Sequence, residues 1–295
     1  MLQASAEYPS VRRTLQEASD VLHQDMALLI AQGPAEQLNL TTNTQPVMLT
    51  AGVALWRLWL AEGGGMPQAM AGHSLGEYTA LVAAGSLTFA NALPLVRFRA
   101  QAMQEAVPVG SGGMAAVLGL DDAAVREVCA DAAAQSGEVV EAVNFNAPGQ
   151  VVIAGTKAAV ELACVLLKAR GAKRALPLAV SAPFHSSLLK PAAERLAVYL
   201  EQVPLCSPAV PVIHNVDAVP HADPQAIRQA LAAQASGAVR WVECVQALAR
   251  AGCSDLVECG PGKVLAGLTR RIDPALGSHA LTDASSAHAI QEALT

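Results

Sequence analysis

The chain reads as an α/β protein: a parallel-sheet, α/β-hydrolase-like large domain carrying an inserted, ferredoxin-like small domain. Three observations predict this. Apolar helices alternate with short apolar strands on both sides of the middle of the chain, the pattern of a parallel sheet covered by helices. A Gly-x-Ser-x-Gly pentapeptide (Gly72, Ser74, Gly76) sits between the short stretch 68–71 and a helix-like run at 75–84, as a nucleophile elbow requires. From about Gly110 to Pro183 the order changes to βαββαβ, the ferredoxin-like unit. The large domain then comprises residues 1–109 and 184–295, and the small one 110–183.

In order, Val11, Leu15, Ala18, Leu22 and Leu29 recur at three- to four-residue spacing with one gap and predict a helix over 8–30. Asn43-Thr44-Gln45-Pro46 offers an N-cap and a proline near the first helical position, with helix to about residue 61. That helix is apolar nearly all round and is therefore expected to be buried. Three glycines at 63–65 end it and lead to the elbow, and Gly85 stops the elbow's own helix. A further helix over 90–106 carries Arg97 and Arg99. The small domain is predicted as strands 114–120, 139–144, 150–155 and 174–180 with helices 121–134 and 158–169. The chain returns through helix 187–202, strand 210–215, helices 224–234 and 239–251, strand 255–259 and helix 264–271. Residues 283–289 read as a loose connector.

A chain of 295 residues, 53% hydrophobic, can bury a substantial core, and with 3% aromatics that core must be built from Ala, Leu and Val. No apolar run reaches the ~18 residues of a membrane span, and there is no basic, apolar leader at the N-terminus. The net charge of −6, without a basic block, argues against a nucleic-acid partner. Six cysteines show neither C-x-x-C nor metal-ligand spacing and read as reduced thiols. A cytoplasmic, monomeric enzyme without a metal is expected.

Serine needs a base, and seven histidines compete for the role. His23, His221, His279 and His288 lie in polar surroundings and read as surface residues, and His214 ends an apolar strand. His73 adjoins the serine, but neighbouring side chains diverge on an elbow. His185, in Ala182-Pro183-Phe184-His185-Ser186, lies where the small domain returns to the large one, and domain junctions form clefts. The residues favour His185 without excluding its rivals. The backbone N–H of Leu75, at the start of the elbow's helix, is placed to meet an oxyanion. Gly260-Pro261-Gly262-Lys263 lacks the glycine spacing and the Ser/Thr of a phosphate loop, and reads as a strand-to-helix turn.

The hexapeptide GHSLGE, followed in order by QAMQEAVP, VNFNAPGQVVIAG, GAKRALPL and ECGPGKVLAGLTRRI, resembles the malonyl-CoA:acyl-carrier-protein transacylase family over nearly the whole chain. The resemblance implies Ser74 as nucleophile and His185 as base, with the ring held by the backbone carbonyl of Gln234. Ala238 stands where the family has a proline shortly after that glutamine. It also implies Arg99 rather than Arg97 as the holder of the malonyl carboxylate and Gln45 as a lining residue; Phe184, directly before His185, is expected to narrow the pocket, which suits a malonyl rather than a branched acyl group. No cofactor is implied: malonyl-CoA is a substrate, and phosphopantetheine arrives on the partner, acyl carrier protein. The alternatives are a malonyl transferase serving a malonate decarboxylase carrier, a serine hydrolase using Asp255 or Glu258 with His279 or His288, and an inactive remnant. The family begins with a strand and a Gly-Gln-Gly-Ser-Gln turn that supplies a second oxyanion donor, and this chain starts just beyond that point. The expectation is that translation starts upstream of Met1 and that the chain as given is less active and less stable than the extended form.

Overall fold

The computed structural model describes residues 2–180 and 182–294; Met1, on which the expectation about the start falls, lies outside the described residues. Four helices open the chain: α1 (Pro9–Leu22), α2 (Met26–Gln32), α3 (Ala35–Leu38) and α4 (Thr41–Ala61). The single helix expected over 8–30 is two helices. His23 ends α1 in the left-handed region, at φ 51°, and the Asp25 side chain accepts the Leu28 N–H to start α2. The α4 helix starts ahead of Asn43, capped by Leu40, so Pro46 lies inside it rather than at its first position. The Thr44 hydroxyl donates to the carbonyls of Leu38 and Leu40 and secures that early turn.

After α4 come β1 (Met70–Ala71), the serine turn, α5 (Gly76–Ala83) and α6 (Phe89–Glu105). The next unit is β2 (Gly112–Leu118), α7 (Asp122–Ser136), β3 (Val140–Ala147), β4 (Gln150–Thr156), α8 (Lys157–Ala169) and β5 (Arg174–Pro177). Its strands form one antiparallel sheet in the order β3-β4-β2-β5. The last strand is shorter than expected, ending at Pro177, although the Leu178 N–H still donates to the Met114 carbonyl on β2 (2.9 Å). The chain then runs α9 (Lys190–Glu201), β6 (Val212–Ile213), α10 (Pro224–Ser236), α11 (Trp241–Arg250), β7 (Asp255–Cys259), α12 (Val264–Ile272), β8 (Gly277–Leu281) and α13 (Ala284–Ala293).

Parallel pairing is present as two short ladders, β1 with β6 and β7 with β8. Residues 277–281, not expected as a strand, pair with β7. The expected connector at 283–289 is instead the start of α13. Asp283 and Ser286 form a reciprocal capping box there, and Ala287 and Ile290 are buried. The strand expected over 210–215 is ordered only at Val212–Ile213, and the two polar residues that follow turn into the interior.

The largest core gathers apolar faces of α1, α4, α5, α6, α9, α10 and α13, and a second core lies between the four-stranded sheet and α7 and α8. Two contacts join these regions near the site. Val239, after α10, exchanges backbone hydrogen bonds with Val143 and Phe145 on β3 (2.8 and 3.0 Å). Phe184 packs both on Ala102, Met103 and Leu189 and on Met114, Val143 and Val152. Among the described residues no helix is long and apolar enough to cross a membrane.

Candidate active site

The turn between β1 and α5 places Ser74 at φ 52°, a left-handed backbone that non-glycine residues adopt at a cost of about 1–3 kcal/mol. Close backbone approach makes this turn possible. A Cβ on Gly72 would lie 1.9 Å from the carbonyl carbon of Gly76 and 2.3 Å from the Glu77 nitrogen, so only glycine fits. Gly76 faces open space, which leaves room in front of the serine. His73 does diverge from Ser74: its Nε2 is 2.8 Å from Asn146 Oδ1 on β3, its ring lies against Trp241, and burial lowers its pKa.

His185, also left-handed at φ 66° and 6% exposed, brings Nε2 to 2.7 Å from Ser74 Oγ. Its Nδ1 lies 2.8 Å from the backbone carbonyl of Gln234. A carbonyl only accepts, so Nδ1 carries the proton and Nε2 presents its lone pair to the serine hydroxyl. Burial, and then the charge of Arg99, push the His185 pKa down to about 3 against the opposing pull of the Gln234 carbonyl. The imidazole is therefore neutral, the state a base needs.

Arg99 on α6 is 2% exposed. Nη1 donates to Gln45 Oε1 (2.6 Å), and Nη2 donates to Ser74 Oγ (3.0 Å) and Gln234 Oε1 (2.9 Å). Its guanidinium lies over the Tyr78 ring at 5.4 Å, and burial lowers its pKa while raising that of Tyr78. Among the described residues no carboxylate pairs with Arg99, and its Nε and the Tyr78 hydroxyl are buried without hydrogen-bond partners. Arg97 faces away, donating to the Leu22 carbonyl and Gln24 Oε1. Gln234, a surface residue if α10 were an ordinary exposed helix, is fully buried. The Leu75 N–H heads α5 and engages no acceptor among the described residues. The structure thus brings together Ser74, Leu75, His185, Arg99, Gln45 and Gln234.

Asp255 and His279 pair with each other at 3.0 Å, and His288 meets Glu62, whereas the partners of Ser74 Oγ are His185 and Arg99. Sequence reasoning missed three buried residues directly behind the serine: Glu77, His214 and Asn215. One signal could have found the last two, since polar residues at the carboxyl end of a parallel strand are where α/β sheets place their sites. Glu77 carried no such signal, because an acid in the first turn of a helix is ordinary.

A serine poised between an imidazole and a buried guanidinium, on a turn heading a helix, defines an acyltransferase. In agreement, the acyl transferase domain family matches residues 7–273. The chain is 52% identical over 295 residues to the malonyl CoA-acyl carrier protein transacylase of Salmonella typhimurium, covering all of this chain and 94% of that protein. It superposes on the crystal structure of an acyl-carrier-protein S-malonyltransferase from Burkholderia pseudomallei with a TM-score of 0.97 and 62% identity, covering 99% of this chain and 94% of the other. A type II polyketide malonyl-transacylase solved in complex with its acyl carrier protein gives a TM-score of 0.97 at 50% identity, again over 99% and 94% of the two chains. The chain belongs to the malonyl CoA-acyl carrier protein transacylase family.

Proposed function

We propose that the chain moves a malonyl group from malonyl-CoA to the phosphopantetheine thiol of an acyl carrier protein, by ping-pong transfer through Ser74, and so supplies fatty acid synthesis. The supporting observation is a buried guanidinium with no acidic partner among the described residues, hydrogen-bonded to a serine that is itself bonded to a neutral imidazole. In the first half-reaction His185 Nε2 takes the Ser74 proton as Oγ attacks the thioester carbonyl. The Leu75 N–H meets the oxyanion, and Arg99 turns its Nη groups from serine to the malonyl carboxylate. The C–S bond breaks, and the CoA thiolate leaves with the proton from His185. In the second half-reaction the carrier's thiol gives its proton to His185 and attacks the malonyl-serine ester, and that proton returns to Ser74. Gln234 holds the imidazole by its carbonyl, and Gln45 holds Arg99. In this reading residues 110–183 form a small domain and 1–109 with 184–295 a large one, with His185 at their junction. All the reacting groups are side chains or backbone, and no cofactor is called upon. Mass spectrometry after mixing with malonyl-CoA tests the reading: a single malonyl adduct on Ser74 is expected, and an adduct elsewhere, or none, overturns it.

The depressed pKa of His185 has a consequence in two assays. An unfolded histidine titrates near about 6.5, whereas the folded one is held down to about 3. Between those values the unfolded chain binds a proton that the folded chain does not, so stability is full above about pH 6.5 and declines as pH falls below it. The rate of serine acylation, by contrast, is expected to pass through pH 6.5 without the inflection of an ordinary imidazole. Rapid-quench acylation and thermal melts over the same pH series check both, and an acylation pKa near 6.5 would contradict the burial argument.

Carrier proteins that present phosphopantetheine are acidic, and basic side chains near the small sheet suit such a partner. Arg170 is taken up by Glu127, Arg271 by Gln150 and the Pro148 carbonyl, and Arg270 by the Ser278 carbonyl. Lys168, Lys173, Arg174 and Lys190 have no ion-pair partner among the described residues. The carrier's KM is expected to rise with ionic strength more steeply than that of malonyl-CoA. Equal insensitivity of the two would remove the electrostatic dock.

A further inference from the structure

Behind the serine lies a polar cluster that the reaction scheme leaves unused. Glu77, in the first turn of α5, is fully buried, and no lysine or arginine forms an ion pair with it among the described residues. Its carboxylate is satisfied by three donors instead. Oε1 accepts from His214 Nδ1 (2.7 Å), and Oε2 accepts from the Asn215 backbone N–H (2.9 Å) and from Gln234 Nε2 (2.9 Å). The same Gln234 amide nitrogen donates to the backbone carbonyl of Ser74 (2.8 Å). The Asn215 side chain completes the cradle: its Oδ1 accepts the Ser74 N–H (2.7 Å), and its Nδ2 donates to the Gly72 carbonyl (2.8 Å). Both backbone polar groups of the left-handed serine are therefore held by side chains that Glu77 gathers.

The orientation of the Gln234 carboxamide follows from this cluster. Its nitrogen faces three acceptors, Glu77 Oε2, the Ser74 carbonyl and, at 3.3 Å, Asn215 Oδ1, so its oxygen is the atom that remains for Arg99 Nη2. A flipped amide would set oxygen against carboxylate and nitrogen against guanidinium. We propose that Glu77 is a positioning residue for acyl selectivity: it locks the Gln234 carboxamide so that its oxygen holds the Arg99 guanidinium at the serine. It touches neither substrate nor reacting atom: it acts on Arg99 through Gln234, while its hold on the Asn215 N–H supports the serine backbone. The proposal rests on Arg99 receiving the malonyl carboxylate, as set out above.

The readout is the ratio of malonyl to acetyl acylation rates of Ser74, measured by rapid quench with the two CoA esters, because a merely structural defect lowers both rates together. In Glu77→Ala the ratio is expected to fall about tenfold or more, the scale of one charge-assisted hydrogen bond. Glu77→Gln should keep most of the ratio. Its amide oxygen can accept from Asn215 and Gln234 while its nitrogen donates to Nδ1 of the other His214 tautomer. Gln234→Leu, which retains the backbone carbonyl on His185, should lower the ratio as Glu77→Ala does, and the double variant should lower it no further. Since Glu77→Ala strands buried donors, Glu77→Asp serves as the milder variant, keeping the charge while shortening its reach. An unchanged ratio, an equal loss of both rates, additive effects in the double variant, or failure of both the Ala and Asp variants to fold would each overturn the proposal. A wild-type protein that shows no malonyl preference would instead overturn the reading of Arg99 on which it rests.

Discussion

Ser74→Ala is expected to abolish the covalent malonyl adduct altogether, and His185→Ala to slow its formation by about 10³-fold or more. The two losses have different origins. Without Oγ there is no atom to acylate, and the Arg99 and His185 nitrogens that faced it are left around a methyl group. Without the imidazole the hydroxyl survives but must lose its proton to water, while its contact to Arg99 and the Leu75 N–H persist. A residual adduct in His185→Ala, still on Ser74, is therefore part of the expectation. His185→Asn offers a sharper comparison, since an amide can reach toward the Gln234 carbonyl without acting as a base. Single-turnover acylation with tryptic mapping measures all three variants. If Ser74→Ala still carried malonate on another residue, the nucleophile assignment would fall.

Arg99→Ala should invert the acyl preference: malonyl transfer falls steeply, whereas acetyl transfer is spared or rises. The relative change is expected to be about 10²-fold or more, because a charge-assisted hydrogen bond in a desolvated site contributes a few kcal/mol. The structural reason is that Arg99 is fully committed to this site. Its contacts are Gln45, Ser74 and Gln234, and no protein carboxylate competes for its charge among the described residues. Arg99→Lys should recover little, since one ammonium cannot reproduce a planar fork that spans three acceptors. The measurement is kcat/KM for each CoA ester. Equal losses with the two esters would make Arg99 a structural residue. The contacts of Arg97 with Leu22 and Gln24 exclude it as a substitute.

The elbow is legible in the sequence because its constraint is local. Two glycines flank the serine within five residues, and a helix starts immediately after, so no distant contact is needed to recognise the turn. The βαββαβ unit is legible for a related reason: its strands and helices are well separated along the chain and hydrophobic period alone tells them apart, although the strands pair in the order β3-β4-β2-β5. Errors fell where a local signal was weaker than a tertiary one. The helix over 8–30 breaks at His23, a residue with no glycine to announce it. Conversely, α13 was announced by Asp283 and Ser286, a capping pair easily taken for loop residues. The strand 277–281 is too short and mixed to stand out, and exists because β7 pairs with it.

By itself, the sequence carries the elbow, the order of most of the elements and the resemblance that implies roles for Ser74, His185, Arg99 and Gln234. Only the tertiary structure decided which charges are desolvated and what they face. Arg97 and Arg99 are two residues apart on one helix, yet one meets the end of α1 and the other the serine, because a helix turns about 200° over two residues. Glu77 is indistinguishable from a surface acid until α5, β6 and α10 converge on it. Around the serine, burial and long-range hydrogen bonds join Gln234 to Ser74, 160 positions apart, and no local pattern encodes such a meeting.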